Sequence, residues 1–77
     1  MSLVFSPVKS GNIKARAYDA QEKKLYLRFW SGKTYAYHPV EADFFKEFEA
    51  AESKGGFFHS RIRGNSMLTA REIQKKG

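Results

Sequence analysis

The residues of this chain best suited to chemistry are cations interleaved with aromatic rings. Lys14, Arg16 and Tyr18 fall at alternate positions of one short segment, and Tyr26, Arg28 and Trp30 at alternate positions of a second. Bases stack on aromatic rings and on guanidinium planes, while lysines track phosphates, so such a mixture can serve as a platform for RNA or single-stranded nucleic acid. Further on, Lys54, Arg61 and Arg63 would lengthen that basic path. Ser53-Lys54-Gly55-Gly56 would offer backbone N–H groups and an ammonium to a phosphate. It lacks the glycine spacing of a Walker loop, and the same residues also read as the stop of a helix.

Nothing in the chain orients a catalytic group. Cysteine is absent, which excludes thiol chemistry, disulfides and thiolate zinc sites. The only histidines, His38 and His59, lie far apart with no carboxylates placed to complete a metal site. A chain of 77 residues hides only about 60% of its unfolded surface, which leaves a thin core and little room for a cleft. The expectation is a non-enzymatic protein with no cofactor and no metal.

The net charge of +6 is unevenly distributed. Residues 1–38 carry seven Lys/Arg against Asp19 and Glu22, and residues 54–77 carry six against Glu72. Residues 39–53 carry Lys46 against Glu41, Asp43, Glu47, Glu49 and Glu52. A basic side and an acidic side follow, and the basic one is the electrostatic footprint of a polyanion binder. At 42% hydrophobic and 16% aromatic, the composition is that of a chain that folds. No apolar run reaches the ~18 residues of a membrane span, and Met-Ser-Leu-Val-Phe-Ser lacks the order of a signal peptide, so a cytoplasmic protein without membrane contact is expected.

These residues need elements to hold them. Ile13, Ala15 and Ala17 alternate with Lys14, Arg16 and Tyr18, which predicts a strand over residues 12–18. Leu25, Leu27 and Phe29 alternate with Tyr26, Arg28 and Trp30 in a second, over residues 24–30, and residues 33–38 form a third. Short polar links make the neighbours antiparallel. Leu3 to Val8 could add an edge strand, a place to which Pro7 confines it. After Pro39, Val40, Phe44, Phe48 and Ala51 recur on one helical face, with Phe45 widening the stripe. A helix over about residues 40–53 is predicted, stopped by Gly55-Gly56, followed by a short second helical segment through Phe57, Phe58 and Ile62 that ends at Gly64. The fold class is therefore α+β, a three-stranded antiparallel meander packed on one amphipathic helix, with a domain spanning 1–64. Residues 65–77 read as a polar tail, disordered or forming a short helix from the capping box Thr69-Ala70-Arg71-Glu72.

The hairpin at Ser31-Gly32 decides what the tyrosines do. A two-residue loop would pair Trp30 with Lys33 and put Tyr35 and Tyr37 on the basic face. A three-residue loop with Gly32 left-handed would pair Leu27 with Tyr35 and Leu25 with Tyr37, turning both toward the helix. Glycine in the third loop position favours the second register. Either way Lys14, Arg16, Tyr18, Tyr26, Arg28 and Trp30 are expected on the face away from the helix, with His38 at its margin in the favoured register.

The pattern Leu25-x-Leu27-x-Phe29-x-x-Gly32-x-x-Tyr35-x-Tyr37-x-x-Val40, followed by Ser53-Lys54-Gly55-x-x-Phe58-x-x-x-Ile62-Arg63, resembles the KTSC domain. Upstream, Ser10-Gly11-Asn12-Ile13 and Tyr18-Asp19 fit as well, so the resemblance covers roughly residues 4–63. The family is named for the C-terminus of some lysyl-tRNA synthetases and also occurs as small bacterial and phage-type proteins. The resemblance implies no established activity, and RNA binding only by the synthetase context. This chain departs from the family in having Glu41 after Val40, His59 where asparagine is common, and Asn65-Ser66-Met67-Leu68-Thr69 in place of an aromatic and basic ending. Two functions follow as expectations: RNA or single-stranded nucleic-acid binding through Lys14, Arg16, Tyr26, Arg28, Trp30, Lys54, Arg61 and Arg63, or a protein-interaction module that docks on a partner or forms a homodimer.

Overall fold

A computed structural model describes residues 3–73 of the protein. Five antiparallel strands run in chain order across one sheet: β1 (Ser6–Pro7), β2 (Ile13–Asp19), β3 (Lys24–Phe29), β4 (Thr34–His38) and β5 (Thr69–Ile73). Helix α1 (Ala42–Ala50) and a second helix, α2 (Lys54–Phe57), lie between β4 and β5, and α2 runs on into a π-helical turn at Phe58–Ile62. No helix among the described residues is long and apolar enough to cross a membrane.

The sheet is larger than the three-stranded meander expected. β1 is the short edge strand that Pro7 allows, because an edge position asks for no N–H donor on its outer side. β5 is the real correction. Thr69-Ala70-Arg71-Glu72 does not cap a helix. These residues pair with β4, Thr69 opposite His38 and Ile73 opposite Thr34, so the supposed tail adds a strand. Residues 74–77 lie outside the described residues.

The β3–β4 hairpin takes the three-residue register. Leu25 pairs with Tyr37 and Leu27 with Tyr35, and the Phe29 amide donates to the Lys33 carbonyl at 2.9 Å. Gly32 sits at φ +99°, a left-handed conformation that costs a side chain strain, and its amide closes the turn on the Phe29 carbonyl. Both tyrosines thereby face the helices.

Helix α1 ends earlier than the spacing of apolar residues predicts, because Ala51 is already extended. Gly55 and Gly56 do not stop a helix; they lie inside α2, whose cap is Ser53, its hydroxyl accepting from the Gly56 amide at 3.0 Å. Glycine is needed there by close approach. A Cβ on Gly55 would stand 2.8 Å from the Asn12 side-chain oxygen, itself tied to the Ser10 hydroxyl. The π turn keeps both Phe58 and Ile62 facing inward, and Gly64 at φ +74° ends it. Ile13, Leu25, Leu27, Val40, Phe48 and Ile62 are sealed between sheet and helices, with Tyr37 and Phe58 nearly so.

Candidate nucleic-acid interface

Strand β2 does not alternate as its sequence suggests. Ile13 opposes Phe29, but Ala15 opposes Arg28, so Lys14 is an extra residue in the ladder, a β-bulge. From Ala15 onward the strand is re-phased by one position. Arg16 pairs with Leu27 and Tyr18 with Leu25, and paired residues share a face, so both point toward the helices. Ala15 and Ala17 take their places on the outer face, opposite Arg28 and Tyr26. The expected outward placement of Arg16 and Tyr18 is thus overturned by one bulged residue.

Each of the redirected side chains has a structural partner. The Arg16 guanidinium grips Glu49 of α1 with two parallel bonds, Nε donating to Oε2 at 2.8 Å and Nη2 to Oε1, and lies 5.4 Å from the Phe45 ring centre. Tyr18 stacks flat on Phe45, ring centres 4.2 Å apart, and its hydroxyl donates to the Val40 carbonyl at 2.7 Å. Burial pushes the Tyr18 phenol above its ordinary value, and the charge of Glu41 adds to that. The three ion pairs among the described residues all use carboxylates of α1 or its cap: Arg16 with Glu49, Lys23 with Glu41, and Arg61 with Glu47. The acidic helix therefore neutralises cations around itself.

Lys54 and Arg61 are likewise turned to α1. The Lys54 ammonium donates to the carbonyls of Glu49 and Ala51 at 2.9 and 2.8 Å, covering the carbonyl end of the helix where positive charge is favoured. Arg61, besides pairing with Glu47, lies over the Phe57 and Phe44 rings. Arg63 stands apart from both, exposed beyond the π turn and beside Tyr37 on the helix side of the hairpin. The expected basic path from the sheet through Lys54, Arg61 and Arg63 is not continuous.

What the structure does assemble is an outer sheet face of different membership. Tyr26 and Arg28 of β3, Lys24 at its start, and Arg71 of β5, which pairs with Ala36, all lie there. Lys14 joins them from the bulge, its ammonium 5.4 Å from the centre of the Trp30 indole. Trp30 is 60% exposed and steadied by a hydrogen bond from its indole nitrogen to the Ser10 carbonyl at 3.3 Å. Phe5, from the segment before β1, covers part of the face, edge-on to Tyr26 and under the Arg28 guanidinium at 4.1 Å. Ala36 keeps the middle low, and two grooves of about 460 and 520 Å³ share Ile73 as a wall. Asp19 lies at one margin with its carboxylate turned into its own loop, accepting from the Gln21 and Glu22 amides, and Glu72, which pairs with Tyr35 of the helix-side set, borders the groove beside Arg28 only from the β5 edge. Sequence reasoning missed Lys24 and Arg71. Lys24 precedes the first apolar residue of β3, and Arg71 belongs to the unexpected strand.

With this geometry established, the relatives can be compared. The KTSC domain family model matches residues 9–65. The chain belongs to the KTSC domain family. A protein of Tsukamurella paurometabola is 42% identical over 57 residues, which span 74% of this chain and 85% of that one. The crystal structure of a KTSC domain protein from Yersinia pestis superimposes with a TM-score of 0.87 at 32% identity, covering 95% of this chain and 100% of the other. Neither relative is named for an activity. The matched span of the KTSC model stops before β5, so Arg71 lies outside it.

Proposed function

We propose that this KTSC protein is a non-catalytic module that binds RNA, or single-stranded nucleic acid generally, on the outer face of its sheet. One observation carries the reading. Carboxylates of α1 and its cap pair with Arg16, Lys23 and Arg61, whereas Lys14, Lys24, Arg28 and Arg71 share an outer face with Tyr26 and Trp30, where no ion pair is made among the described residues. Uncompensated cations around an exposed Trp30 and a half-buried Tyr26 suit a strand that offers phosphates and unstacked bases.

The test is titration of fluorescent single-stranded RNA and tRNA over a salt series. Four phosphate contacts on a single strand predict a log–log slope of about −3. Arg28→Ala with Trp30→Ala should remove binding, while Lys54→Ala should leave it in place. Absence of binding at low salt would end the proposal.

One feature favours the interaction reading as an alternative. β5 is exposed along its whole length and its outer edge is unpaired among the described residues, so it could accept another strand. Sedimentation at rising concentration tests it, since edge pairing predicts a dimer without nucleic acid.

A further inference from the structure

On the opposite side of the hairpin from the basic face, the same Trp30 borders a second cavity of about 470 Å³, within the range of small-molecule sites. Its wall is aromatic. Phe29, Tyr35, Tyr37 and Phe58 form a cluster with ring centres 5.2 to 6.3 Å apart, the Phe29–Tyr35, Phe29–Phe58 and Tyr37–Phe58 contacts being T-shaped and the Tyr35–Tyr37 pair tilted. Its polar side chains are few. Arg63 and Lys33 line it, no carboxylate does, and neither cation makes an ion pair among the described residues. The Tyr35 and Tyr37 hydroxyls make no hydrogen bond among the described residues, and Asn12 and Ser31 also line the cavity.

The position of Arg63 is set by the backbone. Its amide reaches five residues back to the Phe58 carbonyl at 2.7 Å, the bond that closes the π turn, and this fixes the Arg63 backbone at the end of the segment whose Phe58 ring lines the cavity. Single π turns inside helical segments are uncommon and cluster at functional sites. The guanidinium is also close enough to Tyr37 to oppose the rise in that phenol's pKa caused by burial and by Tyr35.

We propose that this cavity takes one nucleotide, its base against the aromatic wall and its phosphate on Arg63 with Lys33. The chemistry of the lining selects among ligands. An aliphatic acid would satisfy the cations but leave the two phenols without partners. An aromatic amino acid would bring an ammonium toward Arg63 and Lys33. A nucleotide carries a planar ring to pack, donors and acceptors on the base edge for the tyrosine hydroxyls and Asn12, and an anion at the far end. The inference goes beyond the sheet-face reading and stands without it. A free mononucleotide and a nucleotide at the end of a strand offer the same groups.

The experiment is an amide and indole NMR titration of the full chain with each of the four ribonucleoside monophosphates, the parent nucleosides and inorganic phosphate. Monophosphates should shift Trp30, Tyr35, Tyr37 and Phe58, and nucleosides should bind at least about tenfold more weakly, the factor expected for losing charge-assisted hydrogen bonds. Arg63→Gln should bring monophosphates to the nucleoside level with the rest of the spectrum unchanged. Lys14→Ala with Arg28→Ala should leave mononucleotide binding as it was. No response to any monophosphate, an equal response to phosphate alone, or unchanged affinity in Arg63→Gln overturns the proposal. A parallel RNA titration separates the two readings: mononucleotide binding without RNA binding keeps this inference and removes the sheet-face one, and the reverse removes this one alone.

Discussion

Arg16 and Arg28 occupy adjacent strands of one sheet and look interchangeable in the sequence, yet they serve opposite faces. Arg16 lies on the helix side, its side chain 23% exposed and gripped by Glu49. Arg28 lies on the outer side, stacked on Phe5 and paired with no carboxylate among the described residues. The helix face uses charge to join sheet to helix, whereas the outer face leaves it unneutralised. A cation's type and spacing therefore say little about its availability until its partner is known.

The largest effect in this comparison should come from the covered face. Phe48 is fully buried, so Phe48→Ala should cost about 3–5 kcal/mol, enough to unfold much of a domain this small, as read by thermal denaturation. The arginine pair is the sharper test. Arg16→Ala should lower stability by about 1–3 kcal/mol, since two charge-assisted bonds are lost at a partly buried site, and leave RNA affinity unchanged where the protein is folded. Arg28→Ala should do the reverse, with little change in melting temperature and a shallower salt dependence of RNA binding. If the two variants behave alike, the division between faces is wrong.

The covered face should also show itself in alkali. Burial pushes the Tyr37 phenol up to about 12, with Tyr35 adding to the rise and Arg63 opposing it. A phenol in the unfolded chain ionises near pH ~10, so the folded state holds this proton more tightly. The resulting stability is fully present below pH ~10 and is lost as pH rises through the folded value of about 12. Denaturant melts across that window should show the loss, and Tyr37→Phe should reduce it. The smallest effect belongs to the hairpin that assigns the tyrosines to their face: Gly32→Ala, at φ +99°, should cost about 1–2 kcal/mol by calorimetry.

Much of this arrangement was legible in the sequence because local rules govern it. Leu25, Leu27 and Phe29 alternate cleanly, and glycine at the third loop position selects the register that turns Tyr35 and Tyr37 inward. Phe44 and Phe48 mark the helix, although it is shorter at both ends than the apolar spacing predicts, with Val40 before its cap and Ala51 already extended. The bulge at Lys14 was not legible. Ala15 and Ala17 are small enough for either face, so Ile13-x-Ala15-x-Ala17 reads as unbroken alternation while the strand is re-phased beneath it. β5 was hidden for another reason: all five of its residues are exposed, and only pairing with β4, far away in sequence, makes it a strand. The same nonlocality concealed the pairing of Arg61 with Glu47 and the contacts of Lys54 with the end of α1. These contacts depend on how the helices fold back, which charge counting along the chain does not register.

The central claim is that nucleic acid meets the outer sheet face, and chemical-shift mapping of a short single-stranded RNA on the labelled protein tests it most directly. Shifts and broadening should concentrate at Lys14, Lys24, Tyr26, Arg28, Trp30 and Arg71 and fade with salt, while Arg16, Tyr18 and α1 stay silent. Perturbations centred on α1 and Arg16, or none at low salt, would contradict the account.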